Sequence, residues 1–237
     1  MGFDCAARTH IGHRRTLNED AVLNSAERGL WAVADGMGGH DAGEVASAMV
    51  IEALSQCQLD GDIEARTASV IAALADTNAR LQEFARTFCE DRTIGTTVVG
   101  LTTEGKEYGC FWAGDSRAYH VREGTITRLT RDHSLVQDLV DAGMLSADEA
   151  ESHPNANIIT RAVGADAHLH IDSITGDLRS GDRFLLASDG LTRLVKDEEL
   201  LGKLLAGNIE TAADELVALA LERGGHDNIS LVIVRFH

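Results

Sequence analysis

Four short apolar runs in this chain each meet an aspartate at one end, and that pattern restricts the fold more than any other feature. Leu30-Trp31-Ala32-Val33-Ala34 stops at Asp35-Gly36, and Cys110-Phe111-Trp112-Ala113 stops at Gly114-Asp115. Phe184-Leu185-Leu186-Ala187 stops at Ser188-Asp189-Gly190, and the fourth run opens at Asp227-Asn228 and continues from Ile229 to Val234. Runs of this length bounded by turn residues read as buried strands. In an antiparallel sheet the end of one strand and the start of its neighbour share an edge, so four carboxylates are expected along one edge of a sheet. Such a cluster repels itself unless a positive charge sits in it. Hard divalent cations with oxygen ligands are its natural occupants. The residues therefore point to a metal-dependent hydrolase built around Asp35, Asp115, Asp189 and Asp227.

The remaining patterning surrounds these runs with more strands and a few helices. Strands are expected over 3–9, 20–25 and 29–35. Asp41-Ala42-Gly43-Glu44 has the form of a capping box with Asp41 as N-cap, and Val45, Ala46, Met49, Val50, Ala53 and Leu54 then share a helical face. Val70, Leu74, Leu81, Phe84 and Phe88 place a second helix with one apolar side. Strands are expected over Thr96–Thr103, Glu107–Ala113, Ala118–Arg122 and Thr125–Leu129, with glycine turns at Gly105 and Gly124. A strand pair near 168–177 and 182–188, a helix through Ala212, Ala213, Leu216, Val217, Ala220 and Leu221, and a last strand Ile229–Phe236 complete the order. Several strands are apolar on both faces, so both faces must be covered. A sheet packed on a sheet with helices outside does this. The fold class is α+β: a four-layer α-β-β-α sandwich of two mostly antiparallel sheets. The polar stretch 134–164 interrupts the strands and is expected as a small flap over the site. A chain of 237 residues with a single proline, Pro154, and no Gly/Ser-rich linker reads as one domain, 1–237.

Charge narrows the function. A net charge of −17 repels phosphate backbones, so no nucleic acid is expected, and it weakens any case for an anionic membrane. Cysteines at 5, 57, 89 and 110 form no C-x-x-C pair and fit free thiols in a reducing cytoplasm. Residues 1–15 carry no apolar stretch for a signal peptide, and no run approaches a membrane span.

Two further clusters are ambiguous alone. Asp35-Gly36-Met37-Gly38-Gly39-His40 is a glycine-rich turn after a buried strand, which equally suits a plain strand-to-helix turn. Asn18-Glu19-Asp20, with Arg15 four residues before Glu19, is by itself a charged turn. In order along the chain, however, these segments with Ala113-Gly114-Asp115-Ser116-Arg117, Ala187-Ser188-Asp189-Gly190 and His226-Asp227-Asn228 resemble the metal-dependent protein phosphatases (PPM, the type 2C Ser/Thr phosphatases), and most of all the compact bacterial members. Each motif is short; together, in order across 15–228, they are specific.

The resemblance implies an enzyme that hydrolyses phosphoserine and phosphothreonine with two or three divalent ions, Mn²⁺ or Mg²⁺. Asp35 would bridge two metals, and the Gly36 carbonyl would reach the second. Asp189 and Asp227 would complete the ligands of the first, with Glu19 and Asp20 acting through water. Asp115 would join Asp189 around a third, weaker ion. Arg15 would bind the substrate phosphate with paired charge-assisted bonds. Two ions about 4 Å apart can share and acidify a water that attacks phosphorus in line. Many eukaryotic members place a histidine directly after the glycine; here Met37 stands there, and His40 is the candidate proton donor to the leaving oxygen, or else a helix-entry histidine. Asn228 is expected to bond backbone and set the Asp227 loop, Arg117 to pair with an acid, and His133 and His226 to be structural.

The resemblance also implies a monomer whose partners are phosphorylated proteins, a cognate bacterial Ser/Thr kinase and its substrates, with secretion-system control as one context. Two other readings remain: a catalytically inactive phosphate-binding scaffold of the same fold, and a nuclease or small-molecule phosphatase built on a similar carboxylate cluster.

Overall fold

The computed structural model describes residues 2–38, 42–88, 93–151 and 153–237, with the side chain of Glu151 left aside. The chain begins with strands β1 (Phe3–His10), β2 (Asp20–Ser25) and β3 (Leu30–Met37), followed by helices α1 (Ala42–Gln56) and α2 (Ile63–Phe88). Strands β4 (Gly95–Thr96), β5 (Val98–Glu104), β6 (Glu107–Ala113), β7 (Arg117–Arg122) and β8 (Thr125–Arg128) come next. Short helices α3 (Leu135–Asp141) and α4 (Ala147–Glu151) precede β9 (Asp172–Asp177) and β10 (Arg183–Ala187). Helices α5 (Asp189–Thr192), α6 (Asp197–Leu205) and α7 (Ile209–Glu222) lead to β11 (Ile229–Phe236).

The strands form two antiparallel sheets, β1-β11-β10-β7-β8 and β2-β3-β5-β6-β9, with β4 added to β3. Side chains alternate between faces along a strand, and here both faces are apolar. In β3, Trp31 and Val33 pack between the sheets, whereas Leu30, Ala32 and Ala34 face α1 and α2. In β11, Val232, Val234 and Phe236 point between the sheets, whereas Ile229, Leu231 and Ile233 lie under the late helices. This double burial produces the four-layer α-β-β-α sandwich that the apolar runs require.

The inter-sheet layer differs at its two ends. One is closed by edge-to-face aromatic contacts of Phe3 with Trp31, centroids 5.2 Å apart, and of Trp31 with Phe236, 6.3 Å apart. At the other, where β3 and β10 end and β2 and β11 begin, the same faces carry acids and hydroxyls.

Two expectations are corrected, and a third falls outside the described residues. The strands near 168–177 and 182–188 do not pair: β9 adds to β6, and β10 lies between β11 and β7 in the other sheet. Phe88 is not on the buried side of α2; it is 72 % exposed and only leans on Phe84. The capping box at Asp41 involves a residue outside the described ones, as is Cys89.

Between β8 and β9 the chain leaves the sheets for α3 and α4. It returns through a bridge of Ser134 with Ile159 and another of Val163 with Thr96. The return is fixed to α2, because the Gly164 N–H donates to Asn78 Oδ1 at 2.6 Å.

Candidate metal centre

Strand alternation dictates where Asp35 points. Trp31 and Val33 face the other sheet, so Asp35 continues that face at the open end of the sandwich. Asp20 lies directly opposite Asp35 in the β2–β3 ladder and shares its face. Like charges directly opposite across a ladder destabilise it. Burial is the first cause that raises the Asp35 carboxyl well above its ordinary range, and Asp20, Asp189, Asp115 and Asp227 all push the same way. The four aspartates and Asp20 therefore converge, as expected, but not along one edge of a sheet. Asp20 and Asp35 come from one sheet, Asp189 and Asp227 flank strands of the other, and Asp115 lies in the β6–β7 connection that joins the two.

Hydroxyls bind the two sheets together at this end. Ser188 follows Phe184 and Leu186 on the inter-sheet face, and its Oγ donates to Asp20 Oδ2 at 2.9 Å while accepting the Ser230 N–H at 3.0 Å. Burial still drives the Asp20 carboxyl up to about 7, against the Ser230 and Ser188 bonds that lower it. Asp115 is also pushed up to about 7, by burial first and by Asp189. Asp189 is raised by burial, with Arg193 opposing.

Backbone contacts fix the acids. Asp35 donates its N–H to Thr97 Oγ1 at 3.2 Å and accepts the Thr97 N–H at 2.8 Å. Gly36 is demanded by close approach: a Cβ there would sit 2.1 Å from the Gly43 carbonyl oxygen. At Gly190 a Cβ would meet the Asn228 carbonyl oxygen at 1.9 Å, so the start of α5 can lie against the start of β11 only with glycine. The Asp115 loop is held by His133, whose Nδ1 accepts the Gly114 N–H at 3.1 Å and whose Nε2 meets Asp172 at 3.2 Å. Arg117 pairs with Asp132 at 2.7 Å. His133 and Arg117 thus have structural partners; His226 is exposed.

Asn228 bonds backbone, and does so across the chain. Its Nδ2 donates to the Ile11 and Leu17 carbonyls at 2.9 and 3.0 Å, and its Oδ1 accepts the Glu19 N–H at 2.8 Å. It therefore ties the 11–19 loop, which carries Arg15 and Glu19, to the Asp227 loop, and its own N–H donates to Asp227 Oδ1 at 2.8 Å. Arg15 reaches Asp227 Oδ2 at 2.7 Å, with Glu19 at 3.9 Å. His40 lies outside the described residues.

Sequence reasoning missed Arg193, Ser188 and Ser230. Arg193 forms an ion pair with Asp189 Oδ2 at 2.9 Å and donates to Asp115 Oδ2 at 3.0 Å. Its signal was present, since a cation four residues after an aspartate at a helix start is placed to pair with it.

The acids fit divalent cations. Among the described residues no three carboxylate, imidazole or thiol groups close into a ready-made cage for one ion. An open cluster suits hard ions that retain several waters and need only one or two carboxylates each. Asp20 Oδ1 and Asp115 Oδ1 are buried with no hydrogen-bond partner, although buried acceptors are almost always satisfied. Mutual repulsion and orphaned oxygens are what a cation would relieve.

Comparison with known proteins gives the family and the fold. The protein phosphatase 2C family model matches residues 8–223. The serine/threonine protein phosphatase PstP of Mycobacterium tuberculosis (strain H37Rv) is 40 % identical over 232 residues; the match covers 96 % of this chain but 44 % of PstP, so the chain spans less than half the length of that relative. The solved structure of PppA, described as a key regulatory component of T6SS in Pseudomonas aeruginosa, superposes with a TM-score of 0.90 at 38 % identity, covering 98 % of this chain and 97 % of that one. The catalytic domain of PstP in complex with two manganese ions gives a TM-score of 0.89 at 37 % identity, with 98 % and 97 % covered. With its model matched over most of the length and its sandwich reproduced, the chain belongs to the protein phosphatase 2C family.

Proposed function

We propose that this chain is a divalent-metal-dependent phosphatase that hydrolyses phosphoserine and phosphothreonine in proteins, folded as one domain over 1–237. The observation that carries the reading is the pair Asp20 and Asp35, opposite each other at the open end of the sandwich and surrounded by Asp115, Asp189 and Asp227. Asp35, the Gly36 carbonyl, Asp189 and Asp227 would hold two ions, Mn²⁺ or Mg²⁺, with Glu19 and Asp20 ordering their waters. When bound, the ions supply Lewis acidity, acidifying a water and offsetting charge on the phosphate.

The chain's own residues do the rest. Arg15 is half-exposed at the rim, where its fork can bind two phosphate oxygens while Asp227 steadies its other side. Asn228 sets the loop that aims Arg15. Ser188 orients Asp20, and Thr97 orients Asp35. His40 is assigned the proton that the leaving alkoxide takes up.

The expected substrates are proteins phosphorylated by a cognate Ser/Thr kinase, and PppA makes secretion-system control one setting. A monomer in the cytoplasm suits the free thiols of Cys5, Cys57 and Cys110. No helix among the described residues is long and apolar enough to cross a membrane. The inactive-scaffold alternative has no support in the residues, because every aspartate of the centre is in place.

The test is phosphate release from phosphothreonine peptides with Mn²⁺ and with EDTA. Turnover that appears with Mn²⁺ and stops with EDTA supports the proposal. Turnover indifferent to chelation, or none with any divalent ion, removes it.

A further inference from the structure

The geometry points to Arg193 as a built-in cation that stands where a third divalent ion would bind, between Asp115 and Asp189, and that ties the 134–164 segment to this pair. The inference rests on the reading of the site as a two-metal phosphatase centre. Arg193 closes α5, four residues after Asp189, so the two side chains stack on one helical face. Its Nε lies 2.9 Å from Asp189 Oδ2, and its Nη2 lies 3.0 Å from Asp115 Oδ2. The same Nη2 donates to the Ala156 carbonyl at 3.2 Å. One planar guanidinium thus meets three parts of the chain: it donates to the β6–β7 connection and to the segment beyond α4, and pairs by charge with α5. A guanidinium suits this arrangement because it carries five donors in fixed directions and cannot be deprotonated.

A third divalent ion held by Asp115 and Asp189 would compete for the oxygen atoms that Arg193 occupies. It would also lie within a few ångströms of a permanent positive charge, beside the buried Asp115, where water screens the repulsion only in part. Asp115 Oδ1 remains buried and without a partner, so an ion can approach that atom; full bridging requires Arg193 to leave. When Arg193 leaves, the Ala156 carbonyl loses its donor. Occupation of the third position and closure of the segment around Ala156 therefore oppose each other through Arg193, and by linkage each weakens the other by the same factor. Arg193 acts here as a positioning residue: it neutralises two acids of the centre and holds the neighbouring segment, without touching phosphate.

The experiment measures two quantities on wild type, Arg193→Gln and Arg193→Lys. One is Mn²⁺ binding by calorimetry and equilibrium dialysis; the other is hydrogen exchange of backbone amides between 153 and 160. Wild type should bind two Mn²⁺ tightly and a third at least about tenfold more weakly. Arg193→Gln should tighten the third ion about tenfold or more, change the first two little, and speed exchange at 153–160. Arg193→Lys, which keeps the charge but not the fork, should keep the third ion weak while the segment still loosens. In wild type, raising Mn²⁺ into the range of the third ion should accelerate exchange at 153–160, a readout that stands even if Arg193→Gln fails to fold. Two tight ions, a third unaffected by Arg193→Gln and exchange indifferent to Mn²⁺ would overturn this inference alone. Wild type that binds no Mn²⁺ would overturn it together with the metal-centre reading.

Discussion

Asp20 and Asp35 face each other across the β2–β3 ladder, on the side of the sheet that looks into the sandwich. One of the Asp20 oxygens takes the Ser188 hydroxyl at 2.9 Å, and the other has no partner. Two carboxylates in this relation store repulsion in the folded protein, and a bound cation releases it.

Metal-free protein should therefore lose stability as pH rises. A carboxyl raised in the folded state binds its proton more tightly there than when unfolded. The stability this confers is complete below the ordinary 3.8 and is lost as pH climbs through the folded value, about 7 for Asp20 and Asp115. In EDTA, thermal unfolding should show lower stability at pH 7.5 than at pH 5, by on the order of 1–3 kcal/mol. Saturating Mn²⁺ should flatten or reverse the slope. Asp20→Asn should raise the melting temperature in EDTA at pH 7.5, since the amide oxygen still accepts from Ser188 without carrying charge. A melting temperature independent of pH in EDTA would contradict the account.

Ser188→Ala removes a hydroxyl that joins the two sheets. It leaves a buried Asp20 oxygen and the Ser230 N–H each short of a bond. The expected cost is about 1–3 kcal/mol, read by urea denaturation in EDTA. A loss below a few tenths of a kcal/mol would show that water replaces the hydroxyl without penalty.

Asn228→Ala cuts the three bonds that hold the 11–19 loop. Phosphatase activity should fall mainly through a higher KM for phosphopeptide, because Arg15 loses its aim while the carboxylates of the centre remain. Asn228→Asp should be worse, since it points a carboxylate at the Ile11 and Leu17 carbonyls. Steady-state kinetics with phosphothreonine peptide separate KM from kcat, and a pure kcat effect would argue against the loop-anchoring role.

Arg15→Ala should raise KM for phosphopeptide by about 10–100-fold, as expected for a lost charge-assisted pair worth about 1.5–3 kcal/mol. Arg15→Lys should recover only part, because an ammonium offers no fork. Mn²⁺ affinity, measured by calorimetry, should hold or rise, because Asp227 loses the cation it now shares. Weaker Mn²⁺ binding in Arg15→Ala would reverse that assignment.

The framework was legible in the sequence because burial on both faces leaves an unmistakable mark. β11 was expected over Ile229–Phe236 and is found there, and the β3 run led straight to Asp35. What stayed hidden depends on separation along the chain. The β9 and β10 segments are adjacent in sequence and both apolar in part, yet they join different sheets, and only the pairing partners decide that. Ser188 and Asp20 are 168 residues apart, so no local pattern connects them. Asn228 was expected to bond backbone beside Asp227, but that its side-chain bonds reach more than 200 residues back in the chain became visible only when β1 and β11 were paired. Arg193 carried a readable helical spacing from Asp189, but its tie to Asp115 needed the fold.

The central claim is that acids from both sheets gather paired cations at the open end of the sandwich, against Asp35. Anomalous diffraction at the manganese edge from crystals soaked in Mn²⁺ tests it most directly. The account predicts strong peaks within bonding distance of Asp35, extending toward Asp189 and Asp227, and their loss in Asp35→Asn. Crystals of the folded protein with no peak at that end, or with manganese only elsewhere on the surface, would contradict it.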